Sequence, residues 1–373
     1  MIKHLRNVTL LLALALSFGA CNKDRLQVDP VNQVLSSTYY QTELHVSEAL
    51  IGAYDPVGWT MAYGQWISPV MFGEIRSDNA NAGGDPSNND QPGWQEFDDF
   101  TETNTNTVLH PLYRRSYIGI NRVNSLLSNT DTSDPALSSD AVQVYLAEAK
   151  FLRAFYHFEV FRHFGPIPVI TEELAPNEVN LQRNTLSEVM QQIIDDCEDA
   201  AAVLPVMPAS GQEGRATKGA ALALMGKAYL YWADLSGDDA TKFDAAASAL
   251  QEVVDLGAYE LVDDLGSLYT QGTRNTTEAV FEIQHNPLYT SDWGWFEGID
   301  GNGMIQLCGI RGLCADHPTY EAGWGFMAVT EGLYNHFLDD DHFRRDVAIA
   351  SEATLEQDMI DAGLSCDPII DAT

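Results

Sequence analysis

Positive charge is what this chain has least of. Its 373 residues carry 20 Lys and Arg against 54 Asp and Glu, a formal net charge of −34. Binding nucleic acid takes clustered cations to neutralise phosphates, so that class is excluded, as is attachment to an anionic membrane through protein charge. The acidic exterior reads as a solvated surface. Cysteine is scarce as well, with five in the chain, and none has the paired spacing or nearby His of a zinc site. Catalytic signatures are missing: there is no G-x-S-x-G, no H-E-x-x-H and no phosphate-cradling G-x-x-x-x-G-K-[ST]. "GAALALMGKA" has the wrong spacing and lacks the Ser or Thr. Carboxylate pairs of the kind used in glycoside hydrolysis are too abundant in so acidic a chain to point anywhere. No catalytic motif therefore supports an enzyme reading.

The only long apolar run opens the chain. "MIKHLRNVTLLLALALSFGAC" sets Lys3 and Arg6 before an apolar stretch from Val8 to Phe18, then small Gly19 and Ala20, then Cys21. It is too short and wrongly flanked for a membrane span and reads as a signal peptide over residues 1–20. Small residues directly before a Cys resemble the bacterial lipobox, which makes Cys21 the expected lipid-attachment site. Lipid chains rather than charge would then hold the protein on a membrane. Residues 21–42 read as a lipidated N-terminus and tether, and 43–373 as a single domain. Export also permits disulfides. Cys308 and Cys314 flank the Gly-containing "GIRGL" and are the candidate pair for a small disulfide, bonded or free, with Cys197 and Cys366 elsewhere.

Helical periodicity dominates the middle of the chain. A first amphipathic helix is predicted from Glu43 to Tyr54. Leu109, Leu112, Tyr113, Tyr117, Ile120, Val123 and Leu127 recur at three and four to make one apolar stripe. A long helix starts at Ser138 or Ser139 and stops at Gly165 before Pro166. Phe151, Phe155 and Phe158 share one face of it and Phe161 extends that face. Glu159 is spaced to meet His163, and Gly165 to cap the end in the left-handed region. Further helices start at Thr185 or Ser187, at Thr217 and at Thr241. The last two resemble a tetratricopeptide unit: Gly226 and Tyr229 on the first helix, Phe243, Ala246, Leu250 and Val253 on the second, with "SGDDAT" inserted. Stacked helix pairs of this kind build an α-solenoid scaffold. Ser77–Phe97 reads as a long polar surface loop, "EAVFEIQHN" as a short strand, and Pro287–Gly325 as an irregular Gly-, Trp- and Asp-rich region. "MAVTEGLYNHFLDDDHFRRDVAIA" reads as a short helix, an acidic turn and a strand start, with no packed final element after it.

Five motifs in this order carry a resemblance: "LYRRSYIGINRVNSLL", "AEAKFLRAFYHFEVFRHFGPIPVITEE", "TKGAALALMGKAYLYWAD", "EAVFEIQHN" and "FLDDDHFRRD". Behind a lipobox they resemble SusD/RagB-type outer-membrane lipoproteins, over roughly Cys21 to Ala350. The resemblance implies a mainly α fold in which tetratricopeptide-like helix pairs support a loop-rich ligand face with a few short strands. It implies no catalytic activity, a lipid-anchored place at the outer-membrane surface, and binding of nutrients, oligosaccharides or peptides, as the lid of a SusC-like TonB-dependent barrel transporter. Family members continue well past "DDDHFRRD", so the resemblance also implies that the domain is C-terminally incomplete here.

A glycan site needs flat aromatic faces to stack on sugar rings and amides, Arg or carboxylates to bond hydroxyls. Two loop regions offer the mix. One holds Asp78, Asn79, Asn81 and Trp94; the other holds Tyr289, Trp293, Trp295 and Phe296. Trp293 and Trp295, two apart, would point the same way on extended backbone. Trp324 in "EAGWGF" is a further candidate, whereas Trp59 and Trp66 read as core. "SDNANAGGDPSNND" has oxygen ligands for calcium but lacks the spaced acids and terminal Glu of an EF-hand. It and "LDDDH" therefore read as solvated turns, and no cofactor or metal is expected.

Overall fold

The computed structural model describes residues 39–85, 87–175, 177–269, 273–285, 303–337, 341–366 and 370. Tyr39 and Tyr40, at the end of a first unit, set their rings edge to face at 5.2 Å. The second unit, Gln41–Thr373, holds the helical scaffold and every short strand described.

Its frame is helical. The first helix, α1, runs Glu43–Tyr54 from a Thr42 cap whose hydroxyl accepts the N–H of His45. After two short hairpin strands, β1 (Met61–Ala62) and β2 (Gln65–Trp66), come α2 (Pro69–Ile75), β3 (Ala80–Gly83) and α3 (Pro92–Asp98). The scaffold proper is α4 (Leu109–Asn129), α5 (Asp140–Phe164), α6 (Leu186–Val203), α7 (Lys218–Leu235) and α8 (Ala240–Asp255). Each of these packs on the next, and α1 lies against both α4 and α5. Short elements complete the unit: α9 (Met304–Cys308), β4 (Phe326–Val329), α10 (Glu331–His336), α11 (His342–Ala348) and α12 (Glu352–Asp361).

Sequence chemistry accounts for the helix ends. Ser139 caps α5 and Thr217 caps α7, each accepting an N–H three residues on. Thr185 and Glu188 form a reciprocal capping box at α6, satisfying two orphan donors at once. Asp239 rather than Thr241 caps α8, because its carboxylate accepts both the N–H and the hydroxyl of Thr241. Gly165 ends α5 at φ 67°, ψ −142°. That is not the left-handed helical well but a region open essentially to glycine alone.

Close helix crossings need small residues. A Cβ on Gly119 of α4 would fall 2.2 Å from the Tyr156 ring of α5, and one on Gly226 of α7 would fall 2.6 Å from Leu250 of α8. The tetratricopeptide-like pair predicted on Gly226 is therefore present, with Ala246 fully buried beside it. The α5 aromatic face is core: Phe151, Phe158 and Phe161 are buried and Phe155 half-buried. Glu159 does not meet His163; its carboxylate lies 2.5 Å from Arg162 and faces Arg115.

The C-terminal half departs most from the sequence reading. "EAVFEIQHN" forms no strand over its described residues and instead lays Phe281 against Phe151, ring centroids 5.1 Å apart. "MAV" lies in β4 and "DVA" ends helix α11, where a helix and a strand start were expected. A packed final element exists: α12, capped by Ser351, buries Leu355 and Met359 against Leu313. The disulfide joins Cys314 to Cys366, not to Cys308, which stays free and half-buried on α9. The bond ties the end of α12 back to the loop after α9, a long-range closure that local spacing could not reveal.

Candidate functional site

The polar stretch from Ser77 to Phe97 is not a loop throughout. Ala80–Gly83 pairs antiparallel with Phe326–Val329, and α3 docks on that strand through two side chains. Asp98 accepts the N–H of Ala82 at 2.8 Å, and the Gln95 amide donates to the Gly83 carbonyl at 2.8 Å. These contacts set the fate of the candidates. Trp94 is fully buried, its ring 4.8 Å from that of Phe72 and 5.6 Å from that of Phe97. It is core and offers no face to a ligand, because the turn of α3 that carries it points into the cluster holding Trp59, Trp66 and Met71. Asn81 points outward from β3 and Asp78 is exposed, so both reach solvent. Asn79 is half-buried, its amide donating to Glu74. Trp324 is half-buried, edge-on to Trp66 with centroids 6.0 Å apart. Cys21, Tyr289, Trp293, Trp295 and Phe296 lie outside the described residues. Among the described residues no three His, Cys, Asp or Glu gather to hold a metal ion.

A concavity lies elsewhere. The C-terminal end of α1, the loop Gly211–Arg215 before α7, and Phe281–Gln284 enclose a groove of about 570 Å³. Its apolar floor comes from Ile51, Tyr54, Val57, Phe281 and Ile283, and its polar rim from Asp55, Gln212, Glu213, Arg215 and Gln284. The walls approach closely at Gly214: φ is +93°, and a Cβ there would sit 2.4 Å from the Gln284 side chain. Gln284 is held in place by a 2.9 Å donation to Asn275. Gln212 is exposed at the rim.

Beneath the floor a buried carboxylate fixes two of the lining residues. Glu148 of α5 accepts the Tyr54 hydroxyl at 2.6 Å and the Arg215 guanidinium at 3.0 Å, while the Tyr54 oxygen accepts the Ala216 N–H at 2.8 Å. Burial pushes the Glu148 carboxyl up from its ordinary range, against the pull of these donors. Burial and then the Glu148 charge push the Tyr54 phenol well above its usual value, so it stays protonated and donates. Asp55 is tied down at the other edge by Arg122 at 2.6 Å and by the Trp59 indole at 3.1 Å. The groove thus has rigid polar groups around ring and aliphatic surface, the composition of a pocket for a polar organic ligand.

Sequence reasoning missed this groove because its three walls come from distant parts of the chain, and no single segment looks unusual. The Gly-Gln-Glu-Gly-Arg run ahead of the Thr217 cap is the one local signal. Glycines beside amide and charged groups can bring backbone close to a ligand.

Comparison with known proteins places the chain. A family model described as "Starch-binding associating with outer membrane" (SusD-like) matches residues 26–230. A solved laminarin-binding SusD-like protein is 30% identical, with a TM-score of 0.74 over 90% of this chain and 71% of its own. Surface glycan-binding protein A from Bacteroides thetaiotaomicron, solved with laminarihexaose, shares the fold at a TM-score of 0.73 and 24% identity, over 86% of this chain and 65% of its own. Among curated relatives, SusD-like protein P2 of Formosa agariphila is 24% identical over 92% of this chain and 64% of its own length. A SusD-like protein of Bacteroides ovatus is 26% identical over 74% and 48%. The chain belongs to the SusD-like family. It spans about half to two thirds of the length of these curated relatives.

Proposed function

We propose that this protein is a non-catalytic glycan-binding component of the cell surface, anchored in the outer membrane through lipid on Cys21, and that it hands oligosaccharides to a SusC-like TonB-dependent barrel transporter. The observation that carries the reading is the groove between α1, Gly211–Arg215 and Phe281–Gln284, whose ring and aliphatic floor is edged by amides and a guanidinium. Family membership supports it, since a 30% identical relative is a laminarin-binding protein. Sugar rings suit such a surface: their C–H faces lie on Tyr54 or Phe281 while hydroxyls bond Gln212 and Gln284.

Calorimetry of the protein with laminarihexaose, maltohexaose and a mixed tryptic peptide pool separates glycan from peptide binding. Heat with a hexasaccharide, and none with the peptides, is the expected result. Heat with the peptides alone would turn the reading to a peptide-binding member of the family, and no heat with any of the three would overturn the glycan reading. Absence of new reducing ends after prolonged incubation is expected of a non-catalytic binder.

A further inference from the structure

Where α5 meets α4 and α7, this acidic chain carries a local excess of positive charge. Among the described residues, Glu159 is the carboxylate set amid Arg115, Arg162 and Lys227. Its Oε1 lies 2.5 Å from the Arg162 Nη2, and its Oε2 only 3.6 Å from the Arg115 Nη2, too long for a hydrogen bond. Three cations around one anion leave a local charge of about +2, in a chain whose net charge is −34.

The cluster is also under-bonded. Among the described residues, Arg115 Nε, Arg162 Nε and Glu159 Oε2 are buried with no hydrogen-bond partner. Arg115 has 2% of its side chain exposed and spends another donor on the Trp59 carbonyl at 3.2 Å. Buried polar groups are nearly always paired, and an orphan costs its full desolvation.

An aromatic and aliphatic frame surrounds the charges. The buried Phe158 ring sits 5.7 Å from the Arg162 guanidinium, 5.9 Å from the Lys227 ammonium and 5.2 Å from the Tyr231 ring. On α7, Lys227, Leu230, Tyr231 and Leu235 are exposed. Cations held beside exposed apolar side chains on a helical-repeat surface match a polypeptide that carries an acid beside an apolar residue.

We propose that the α5–α7 face docks an acidic segment of a protein partner, one whose carboxylate settles against Arg162 and Lys227 while a neighbouring apolar residue covers Tyr231 and Leu230. Arg162 and Lys227 share that carboxylate, which lowers the local charge from about +2 to about +1. Nothing in this site overlaps the groove, so the two activities are separable.

The test uses an array of twelve-residue peptides, each with one Glu or Asp set among Leu, Phe, Val and Thr, alongside twins in which that acid is Gln or Asn. The probe is the labelled protein. Acidic peptides are expected to bind more tightly than their amide twins. Lys227→Gln is expected to weaken binding by about fivefold, the upper end for a partly exposed ion pair. Tyr231→Ala should weaken it too. Both changes lie at exposed positions and should leave the circular dichroism spectrum and laminarihexaose binding as they are. Equal binding of acidic and amide twins, or full binding by Lys227→Gln, would overturn the proposal. So would binding of sodium glucuronate at this face in the absence of any peptide binding.

Discussion

Arg153 of α5 and Asp196 of α6 form a buried two-point ion pair, Nε to Oδ2 at 2.8 Å and Nη2 to Oδ1 at 2.6 Å. The remaining guanidinium nitrogen bonds the Asn124 amide oxygen on α4 at 3.1 Å and the Thr171 carbonyl at 2.8 Å. One side chain therefore ties three helices and the segment leaving α5. The planar fork makes this arrangement specific to Arg. Removing one partner strands a buried charge, so Asp196→Ala is expected to cost about 3–5 kcal/mol. Urea unfolding followed by tryptophan fluorescence checks it. A loss below about 1 kcal/mol would show that the pair contributes little to the helix stack.

A buried and a half-buried histidine on the same helix set an acid limit. His157 accepts the Ile170 N–H at Nε2, 3.3 Å away, which leaves Nδ1 to donate to the Arg153 carbonyl at 3.0 Å. His163 lies against Phe72 with its ring centroid 4.7 Å away. Burial first, and then nearby arginines, draw both imidazoles from 6.5 down to about 3. The unfolded chain takes up these protons near 6.5 and the fold refuses them until about 3. Stability from these groups is thus complete above 6.5 and is lost as pH falls toward 3, by at most about 1.4 kcal/mol per pH unit per group. His163→Phe keeps a ring against Phe72 and removes a titrating site. Its unfolding free energy should fall less steeply than that of the unsubstituted protein between pH 6.5 and 5. Parallel slopes would contradict the assignment. Glu148 opposes the trend: its raised pKa adds stability at low pH that is lost as pH rises through the raised value.

How far such features were readable depends on their range along the chain. The bounds of α1, the caps Ser139, Thr185 and Thr217, and the small residue at Gly226 are local matters of periodicity and capping, and they stand in the sequence. Trp94 is the opposite case. Its polar, Gly-rich neighbourhood looked exposed, yet β3 pairs with a strand some 250 residues later and α3 folds its ring inward. Asp98 and Gln95 bond backbone of β3, contacts that composition does not encode. The groove was hidden for the same reason, since each wall is ordinary by itself. Cys314 found Cys366 rather than Cys308 because α12 returns to the Leu313 cluster, a tertiary event.

The groove and the β3–α3 region can be told apart by binding. Gln212 stands exposed at the groove rim, and losing its amide should weaken laminarihexaose binding by about fivefold, the worth of one hydrogen bond. Trp94→Phe should leave the affinity unchanged. Among the described residues the Trp94 indole N–H is buried without a hydrogen-bond partner, so the smaller ring forfeits packing but no bond. Calorimetric titration of both variants decides between them. A loss with Trp94→Phe and none with Gln212→Ala would move the glycan site from the groove to the β3–α3 region.

The Cys314–Cys366 bond closes a loop with a sequence separation of 52. Cross-links of that span restrict the unfolded chain by an amount worth about 2–4 kcal/mol. The bond also holds α12 against Leu313, where Leu355 and Met359 are buried. Cys366→Ser should therefore lower the thermal midpoint and expose the α12 amides to hydrogen exchange, while α4–α8 keep their protection. Reductant should do the same to the unsubstituted protein. Cys308 answers a different probe: burial raises its thiol to about 11, so little thiolate forms at neutral pH and alkylation by iodoacetamide should be slow. Cys366→Ser releases Cys314 as a thiol near solvent, and mass spectrometry should find the label there first. Prior labelling of Cys308 in the native protein would show that α9 opens readily and that the disulfide does not secure this end of the fold.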